Sequence, residues 1–185
     1  MKTGVLAVQG AFAEMSAYWR AKGADTFEIR QRRDLERDFD LLALPGGEST
    51  VQGKLLNDLG LFGPLKERIE HGLPVFAVCA GLILLADLFK LLPVTVKRNA
   101  YGRQLGSFTT VGMWDGHPGT KMTFIRAPAI TSVAPNVEVL STFNGQPTSV
   151  KWNNITAFTW HPELQLKNKT IKSTDFCNRF SPAAP

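Results

Sequence analysis

The segment from Pro74 to Ala86 constrains the fold of this chain more than any other part of the sequence. It reads PVFAVCAGLILLA, in which an apolar run typical of a buried strand meets an apolar run typical of a helix at Cys79. Small residues flank the cysteine, as they must in a turn tight enough to present a nucleophile at the carboxyl end of a strand. The helix N-terminus beyond it would favour the thiolate. A buried structural cysteine is the alternative, and the segment alone favours neither interpretation.

Strand and helix patterns alternate through the first half of the chain, as expected of an α/β fold. Ser49 is predicted to cap a helix whose apolar positions are Val51, Leu55, Leu56 and Leu59. The predicted strands are 4–9, 26–30, 40–44 and 74–78, and the other predicted helices are 12–22, 65–71 and 81–89.

Short β-type segments follow one another in the second half, separated by Gly, Pro and Asn. They are predicted at 94–97, 107–111, 122–126, 137–141, 148–152 and 155–159. Together the two halves predict a βαβ core with a parallel sheet, to which antiparallel strands are added late in the chain. A length of 185 residues fits one domain, predicted over 1–180, with a loose tail at 181–185.

Composition excludes several classes of protein. With 44% hydrophobic and 20% charged residues the chain is expected to be globular, and two cysteines cannot form a disulfide scaffold. The net charge of +5 comes from scattered residues. The one basic cluster, Arg30, Arg32 and Arg33, has no interleaved aromatics, which favours a solvated or partner-facing edge over a nucleic-acid site. Without a signal peptide or a run long enough to span a membrane, a cytoplasmic protein is expected.

Three histidines could pair with a thiolate nucleophile. His71 falls near the end of a surface helix and His117 in an exposed turn, so neither suggests catalysis. His161 follows an apolar strand, and Pro162 separates it from Glu163. In an extended segment the two side chains would share one side, where the carboxylate could orient the imidazole. Alone, this motif more often marks a turn with a solvated acid, but the order Cys, His, Glu favours a triad.

A glycine pair gives the third chemical signal. In LPGGEST, over 44–50, Gly46 and Gly47 end a predicted strand just before a helix. Such glycines let the backbone approach a ligand and point N–H groups at developing negative charge. The loop lacks the Gly-Lys-Ser/Thr ending of a phosphate-binding loop, and a plain turn is the alternative. Cysteine and histidine spacing gives no metal signature, and no cofactor is expected.

Several motifs together carry a family resemblance. They are GVLAVQGAFAE from residue 4, LPGGEST from 44, CAGLILLA from 79, RNAYGRQ from 98, FIRAP from 124 and HPEL from 161. On these segments, which extend to about Leu164, the chain resembles the glutaminase subunits of pyridoxal 5′-phosphate synthase, a group of triad-type class I glutamine amidotransferases. RNAYGRQ and IRAP are the most specific of them.

The resemblance implies a flavodoxin-like three-layer α/β fold, with a mostly parallel central sheet. It also implies hydrolysis of L-glutamine to glutamate and ammonia, with Cys79 as nucleophile, His161 as acid and base, and Glu163 orienting the imidazole. The N–H groups of Gly47 and Ala80 would form an oxyanion hole. Glutamine would be held by Gly47, Glu48, Ser49, Arg98, Ile125 and Arg126.

The same resemblance implies a protein partner. Ammonia would pass through a tunnel to a synthase subunit that builds the vitamin B6 cofactor from a pentose phosphate and a triose phosphate. Such proteins form large complexes with one glutaminase per synthase subunit, and no nucleic acid or membrane takes part.

Some positions depart from the family's pattern. The turn reads AVC over 77–79 where Gly-Thr-Cys is usual, and alanine is still small enough for the corner. Met15 stands where a histidine is usual, Lys97 stands where an acid is common, and the loop over 89–94 is short. Beyond HPEL the match is poor, so Cys177 is given no role. None of these changes removes a member of the triad.

Two other functions remain open from the sequence. The first is a subunit or cysteine hydrolase of the same fold that acts on a different substrate, which the 98–104 segment argues against. The second is a non-catalytic scaffold that binds the synthase or glutamine without turnover, which the intact triad argues against.

Overall fold

The structure, a computed structural model, describes residues 1–98, 100 and 107–165. Strands and helices alternate in its first half, as the sequence predicts. The elements are β1 (Lys2–Leu6), α1 (Phe12–Ala21), β2 (Asp25–Ile29), a 3-10 helix (Arg32–Glu36), β3 (Leu41–Leu44), α2 (Ser49–Asp58), α3 (Phe62–Glu70), β4 (Val75–Val78) and α4 (Ala80–Ile83). The helix that begins with α4 continues as a π-helix over Leu84–Leu88.

The second half of the described chain is built mainly of strands. These are β5 (Val94–Lys97), β6 (Phe108–Trp114), β7 (His117–Phe124), β8 (Ala129–Val133), β9 (Glu138–Phe143), β10 (Gln146–Trp152) and β11 (Ile155–Phe158). A short 3-10 helix, Pro162–Leu164, follows the last strand.

A seven-stranded sheet in the order β2-β1-β3-β4-β11-β10-β9 forms the centre of the molecule. The first five strands in this order are parallel, and β10 and β9 are antiparallel additions. The pairs β5–β8 and β6–β7 form separate two-stranded sheets. The predicted α/β fold, with a mostly parallel sheet and antiparallel strands added late, is therefore confirmed.

Burial on both faces of this sheet explains its apolar central strands. Every residue of β3, β4 and β11 is buried, as expected of parallel strands covered by two outer layers. One apolar cluster joins the sheet to α2, α3 and the π-helix, and includes Leu42, Leu56, Leu65, Val75 and Leu84. The cluster on the opposite face joins the sheet to α1 and the β6–β7 hairpin, and includes Met15, Trp19, Phe76, Trp114 and Phe124.

The predicted helix after the glycine pair exists, but two of its details are wrong. Glu48, not Ser49, occupies the N-cap position, and no side chain there makes a capping hydrogen bond. Val51 and Leu59 are exposed, while Gln52 and Gly53 are buried with Leu56. The helix is rotated from the face that its aliphatic residues predict. At Gly53 it packs on the π-helix, where a Cβ atom would lie 3.4 Å from Leu88 and 3.8 Å from Leu84.

Other differences concern strand ends. β1 spans residues 2–6 instead of the predicted 4–9. Asp115 and Gly116 adopt positive φ angles of 51° and 77° and form the tight turn of the β6–β7 hairpin. As a result His117 begins β7, which starts before the predicted 122–126 strand. The sequence did not predict β8, a short strand that is hydrogen-bonded to β5.

Part of what the sequence predicts lies outside the described residues. This applies to the tail over 181–185, to Cys177 and to most of the RNAYGRQ segment. The single-domain boundary at 180 accordingly stays a prediction. Within the described ranges, no helix has the length and apolar character that crossing a membrane requires.

Candidate active site

Cys79 occupies a sharp corner between β4 and α4. Its backbone has φ 50° and ψ −100°, a conformation that costs a non-glycine residue about 1–3 kcal/mol and that clusters at functional sites. Its N–H donates to the carbonyl of Phe158 on β11 (2.8 Å), which fixes the corner to the sheet. At position 81, two residues on, a Cβ atom would lie 2.5 Å from the carbonyl oxygen of Leu44, so only glycine fits. This geometry favours the tight nucleophile turn over a plain core cysteine.

His161 and Glu163 follow β11, the strand beside β4. The Nδ1 atom of His161 lies 2.7 Å from Oε1 of Glu163, and the two residues are only 6% and 1% exposed. The backbone N–H of His161 donates to the carbonyl of Thr123 (2.8 Å). The segment is a turn of 3-10 helix and not the predicted extended chain. The predicted contact forms nevertheless, because the turn brings the carboxylate back to the imidazole.

The surroundings of His161 set its charge. Burial lowers the pKa of the imidazole, but side-chain hydrogen bonds to Cys79 and Glu163 and the charges of both groups outweigh burial and raise the pKa from 6.5 to about 10. Nε2 of His161 is buried and has no hydrogen bond of ordinary geometry among the described residues. The sulfur is still near enough to raise the pKa. At neutral pH the ring is therefore a cation between the sulfur of Cys79 and the carboxyl group of Glu163.

Gly46 shows independently that Cys79 and His161 are neighbours. A Cβ atom at position 46 would lie 2.6 Å from Cε1 of His161 and 3.6 Å from Cβ of Cys79. Both side chains thus border a single point at the end of β3. Glycine is required there because any side chain would push into the imidazole.

Two loops at the carboxyl edge of the sheet are packed against each other beside this point. The N–H of Ala11, in the β1–α1 loop, donates to the carbonyl of Gly46 (2.9 Å). In return, Oε1 of Gln9 accepts the N–H of Glu48 (2.9 Å). Gly10, with φ 96°, leaves so little room that a Cβ atom would lie 2.1 Å from the carbonyl oxygen of Gly46. The loop that carries the glycine pair is therefore held from both sides.

A cavity of about 430 Å³ opens over the cysteine. All three predicted triad residues and all six predicted substrate-binding residues line it: Cys79, His161, Glu163, Gly47, Glu48, Ser49, Arg98, Ile125 and Arg126. Ala80 is buried at the first position of α4, directly after the cysteine. The residues that the sequence singled out therefore meet in one place.

Charged side chains at the mouth of the cavity pair with each other. Nη2 of Arg126 donates to Oε1 of Glu48 (2.8 Å). Nη1 of Arg98 donates to Oγ1 of Thr50 (3.0 Å), and its Nη2 lies 3.5 Å from Oδ2 of Asp87 in the π-helix. These groups are largely exposed to solvent, unlike the triad.

Some lining residues were not predicted. They are Ala11, Glu14, Thr50, Ile83, Pro128 and Leu164. Each belongs to one of the motifs that carry the family resemblance, so the motifs did indicate these segments. Nothing in the sequence, however, tells which residues of a motif line the cavity and which pack inside the protein.

The other two histidines lie away from this cavity. His71 is exposed after α3, with Nδ1 2.7 Å from the carbonyl oxygen of Glu67. His117 stacks on the buried ring of Trp114, with ring centroids 6.0 Å apart. Both were predicted to be uninvolved in catalysis, and neither lines the cavity.

Such an arrangement suits acyl transfer. It combines a sulfur nucleophile, an imidazolium that can return a proton, and a buried carboxylate that orients the ring. The glycine loop and the N-terminus of α4 border Cys79, where backbone N–H groups can stabilise negative charge, and cationic and anionic groups at the mouth suit a zwitterionic substrate.

Known proteins resemble the chain in sequence and in fold. The model of the SNO glutamine amidotransferase family matches residues 5–180. Pyridoxal 5′-phosphate synthase subunit PdxT of Desulfitobacterium hafniense (strain DSM 10664 / DCB-2) is 51% identical over 172 residues, which cover 89% of this chain and 86% of that protein. The subunit of the same name from Methanocorpusculum labreanum is 48% identical over 171 residues, covering 89% and 90%.

Solved structures show the same fold. A crystal structure described as a glutamine amidotransferase superposes with a TM-score of 0.82 at 34% identity, covering 89% of this chain and 92% of that one. PurLQS from Thermotoga maritima, at 14% identity and a TM-score of 0.67 over 95% of each chain, shares the fold alone.

Proposed function

The chain belongs to the SNO glutamine amidotransferase family, and on that premise we propose that Cys79, His161 and Glu163 hydrolyse L-glutamine to L-glutamate and ammonia. The ammonia serves the synthesis of pyridoxal 5′-phosphate, the task that the relatives' names describe. The observation that carries the proposal is the single cavity in which the Cys79 corner, the His161–Glu163 pair and the substrate-binding residues meet.

Recognition of glutamine uses the charges at the mouth. The α-ammonium group of the substrate suits the Glu48 carboxylate, and its α-carboxylate suits the guanidinium of Arg98 or Arg126. Since Glu48 and Arg126 are paired with each other before substrate arrives, glutamine exchanges one pair of ionic contacts for another. The side-chain amide then extends inward toward Cys79.

The first half-reaction forms a thioester. The sulfur of Cys79 attacks the amide carbon, and the carbonyl π electrons move to oxygen, where the N–H groups of Gly47 and Ala80 stabilise the negative charge. The tetrahedral intermediate collapses as the C–N bond breaks. His161, protonated at the start because its pKa is about 10, gives its proton to the departing nitrogen and becomes neutral as ammonia leaves.

The second half-reaction releases glutamate. Neutral His161 takes a proton from a water molecule, whose oxygen attacks the thioester carbon. The C–S bond breaks, and the product leaves with the added oxygen and releases the second proton of the water to solvent as its new carboxyl group ionises. The sulfur is restored as a thiolate beside the imidazolium. Glu163 keeps the ring in one orientation and stabilises its positive charge in both half-reactions.

A protein partner receives the ammonia. The relatives are named as subunits of a synthase, so a complex with a synthase subunit forms part of the proposal. We propose one glutaminase for each synthase subunit and a direct passage of ammonia between them. Docking next to the cavity would also link glutamine hydrolysis to the presence of the acceptor.

Glutamate release, measured with and without a purified synthase subunit from the same source, tests this function. We expect hydrolysis that increases when the synthase is present, and incorporation of the amide nitrogen of ¹⁵N-labelled glutamine into pyridoxal 5′-phosphate. Absence of glutamate release in the complex would contradict the glutaminase. Release without transfer of the label would contradict the partner.

A non-catalytic scaffold is distinguished by a chemical probe. A diazo-ketone analogue of glutamine should label Cys79 in the complex, as detected by peptide mass. Absence of the adduct, together with intact binding to the synthase, would favour the scaffold.

A further inference from the structure

Gln52 is a polar side chain where an apolar one would be expected. It lies on the buried face of α2 and has no solvent exposure, although the aliphatic residues of this helix predict a different inner face. A buried amide is costly unless its polar atoms are hydrogen-bonded. The contacts of Gln52 therefore indicate why it is there.

Its amide joins the two loops beside the nucleophile. Nε2 donates to the carbonyl of Gln9 in the β1–α1 loop (2.9 Å) and approaches the carbonyl of Pro45 in the β3–α2 loop (3.4 Å). Because both neighbours are acceptors, the nitrogen must face them, which fixes the orientation of the amide. A single side chain thus links the start of the glycine loop to the loop that packs on it.

The same nitrogen lies beside the proposed oxyanion donor. A Cβ atom at Gly47 would lie 2.9 Å from Nε2 of Gln52, and one at Gly10 would lie 3.1 Å from it. The amide therefore lies, with Oε1 of Gln9, on the face of Gly47 from which a side chain would project, and Gln52 itself does not line the cavity.

The amide of Gln52 is only partly satisfied. Oε1 is buried without a hydrogen-bond partner among the described residues, a cost that an aliphatic side chain of similar length would avoid. Such a side chain would in turn leave the carbonyl of Gln9 without this donor. What the amide adds is therefore the pair of contacts with the two loops.

We infer that Gln52 is a positioning residue that holds the Gly47 peptide where it can stabilise the oxyanion. The inference rests on the proposed function, since it assigns Gln52 to the transition state of glutamine hydrolysis. An interaction made only in the transition state changes kcat, whereas substrate binding at the mouth does not depend on it.

The test compares Gln52→Leu and Gln52→Met with the unchanged protein, each in complex with the synthase subunit. We expect kcat for glutamine hydrolysis to fall about tenfold and KM to change less than twofold. Alkylation of Cys79 by iodoacetamide, which needs no oxyanion hole, is expected to keep its rate. Asn57→Leu is the matched control, because it removes a side-chain hydrogen bond to Gly53 on the same helix without touching either loop.

Three outcomes would overturn the inference. The first is an unchanged kcat in both variants, and the second is a parallel loss of kcat and alkylation rate. The third is failure of both variants to fold, which would show that Gln52 is needed for folding and not specifically for the oxyanion hole. Inactivity of the unchanged complex would instead contradict the proposed function, so the two failures are distinguishable.

Discussion

The inner wall and the mouth of the cavity are built in opposite ways. The inner wall consists of Cys79, His161 and Glu163, which are at most 8% exposed. Next to them, Gly46 and Gly81 leave no room for a side chain. At the mouth, the side chains of Glu48 and Arg126 are 56% and 65% exposed. Surface ion pairs of this kind are worth about 0–1 kcal/mol. Under the proposed function, glutamine can therefore exchange contacts at the mouth at little cost, while the three groups of the inner wall stay fixed.

Replacing the nucleophile should have the largest effect. Cys79→Ala removes the sulfur and with it the covalent route, so glutamate release should fall at least about 1,000-fold. The measurement is glutamate formation in the presence of the synthase subunit. Unchanged association with the synthase serves as the control for folding, and substantial remaining activity would rule out the thioester mechanism.

Replacing the buried carboxylate should come next. In Glu163→Gln the imidazole keeps its space but loses a charge that raises its pKa, so kcat should fall about 100-fold. The alkaline limb of kcat/KM for glutamine, expected near pH 10 in the unchanged protein, should move to lower pH. An identical pH profile in the variant would show that Glu163 does not control the charge of His161.

Crowding the imidazole should have an intermediate effect. Gly46→Ala places a Cβ atom 2.6 Å from Cε1 of His161, and displacing the ring should lower kcat about tenfold or more. Gly63→Ala is the matched control, because its Cβ atom meets nothing within 4 Å in α3. That variant should keep full activity and gain a few tenths of a kcal/mol or more in unfolding free energy. Equal kinetics of the two variants would mean that the ring can move freely.

Changing the mouth should affect binding more than chemistry. Arg98→Met keeps the length of the side chain but removes its charge and its hydrogen bond to Thr50, so KM for glutamine should rise about tenfold with kcat within threefold. Arg30→Met, which breaks an exposed pair with Glu28 and changes no residue that lines the cavity, should change neither constant. A drop in kcat at constant KM would place Arg98 with the inner wall.

The last expected effect concerns the dependence of stability on pH, a property separate from catalysis. The pKa of His161 is raised on folding from 6.5 to about 10, so its protonation stabilises the native state fully below pH 6.5. That contribution is lost as the pH rises through 10. Urea unfolding should show a steeper loss of stability between these values in the unchanged protein than in Glu163→Gln. Equal slopes would mean that the buried cation does not contribute to folding.

The inner wall could be predicted from the sequence better than the mouth could. The cysteine between a strand and a helix was equally compatible with a nucleophile and with a core residue, and the His-Pro-Glu motif after a later strand favoured the nucleophile. Although the segment is a 3-10 turn and not extended, the contact depends only on two residues being close in sequence. A short sequence motif was therefore enough to predict the contact between His161 and Glu163.

Contacts between distant segments could not be predicted in the same way. The burial of Gln52 and the exposure of Val51 depend on how α2 is rotated against the π-helix. Likewise, the pairing of Arg98 with Asp87 depends on packing between elements that carry no recognisable pattern. The fold could be predicted from alternating strand and helix signals, but the neighbours of each side chain could not.

The π-helix after α4 has a consequence for how this protein can change in evolution. A turn of this kind holds one residue more than an α-turn, so deleting a single residue there would restore an ordinary helix. Because the wider turn absorbs the extra residue, the side chains before it and after it would keep their directions. Only the residues within the turn, Asp87 among them, would be displaced, so the contact of Asp87 with Arg98 would change while Cys79 stayed in place. A deletion of one residue here would thus reach the mouth of the cavity without reaching the cysteine.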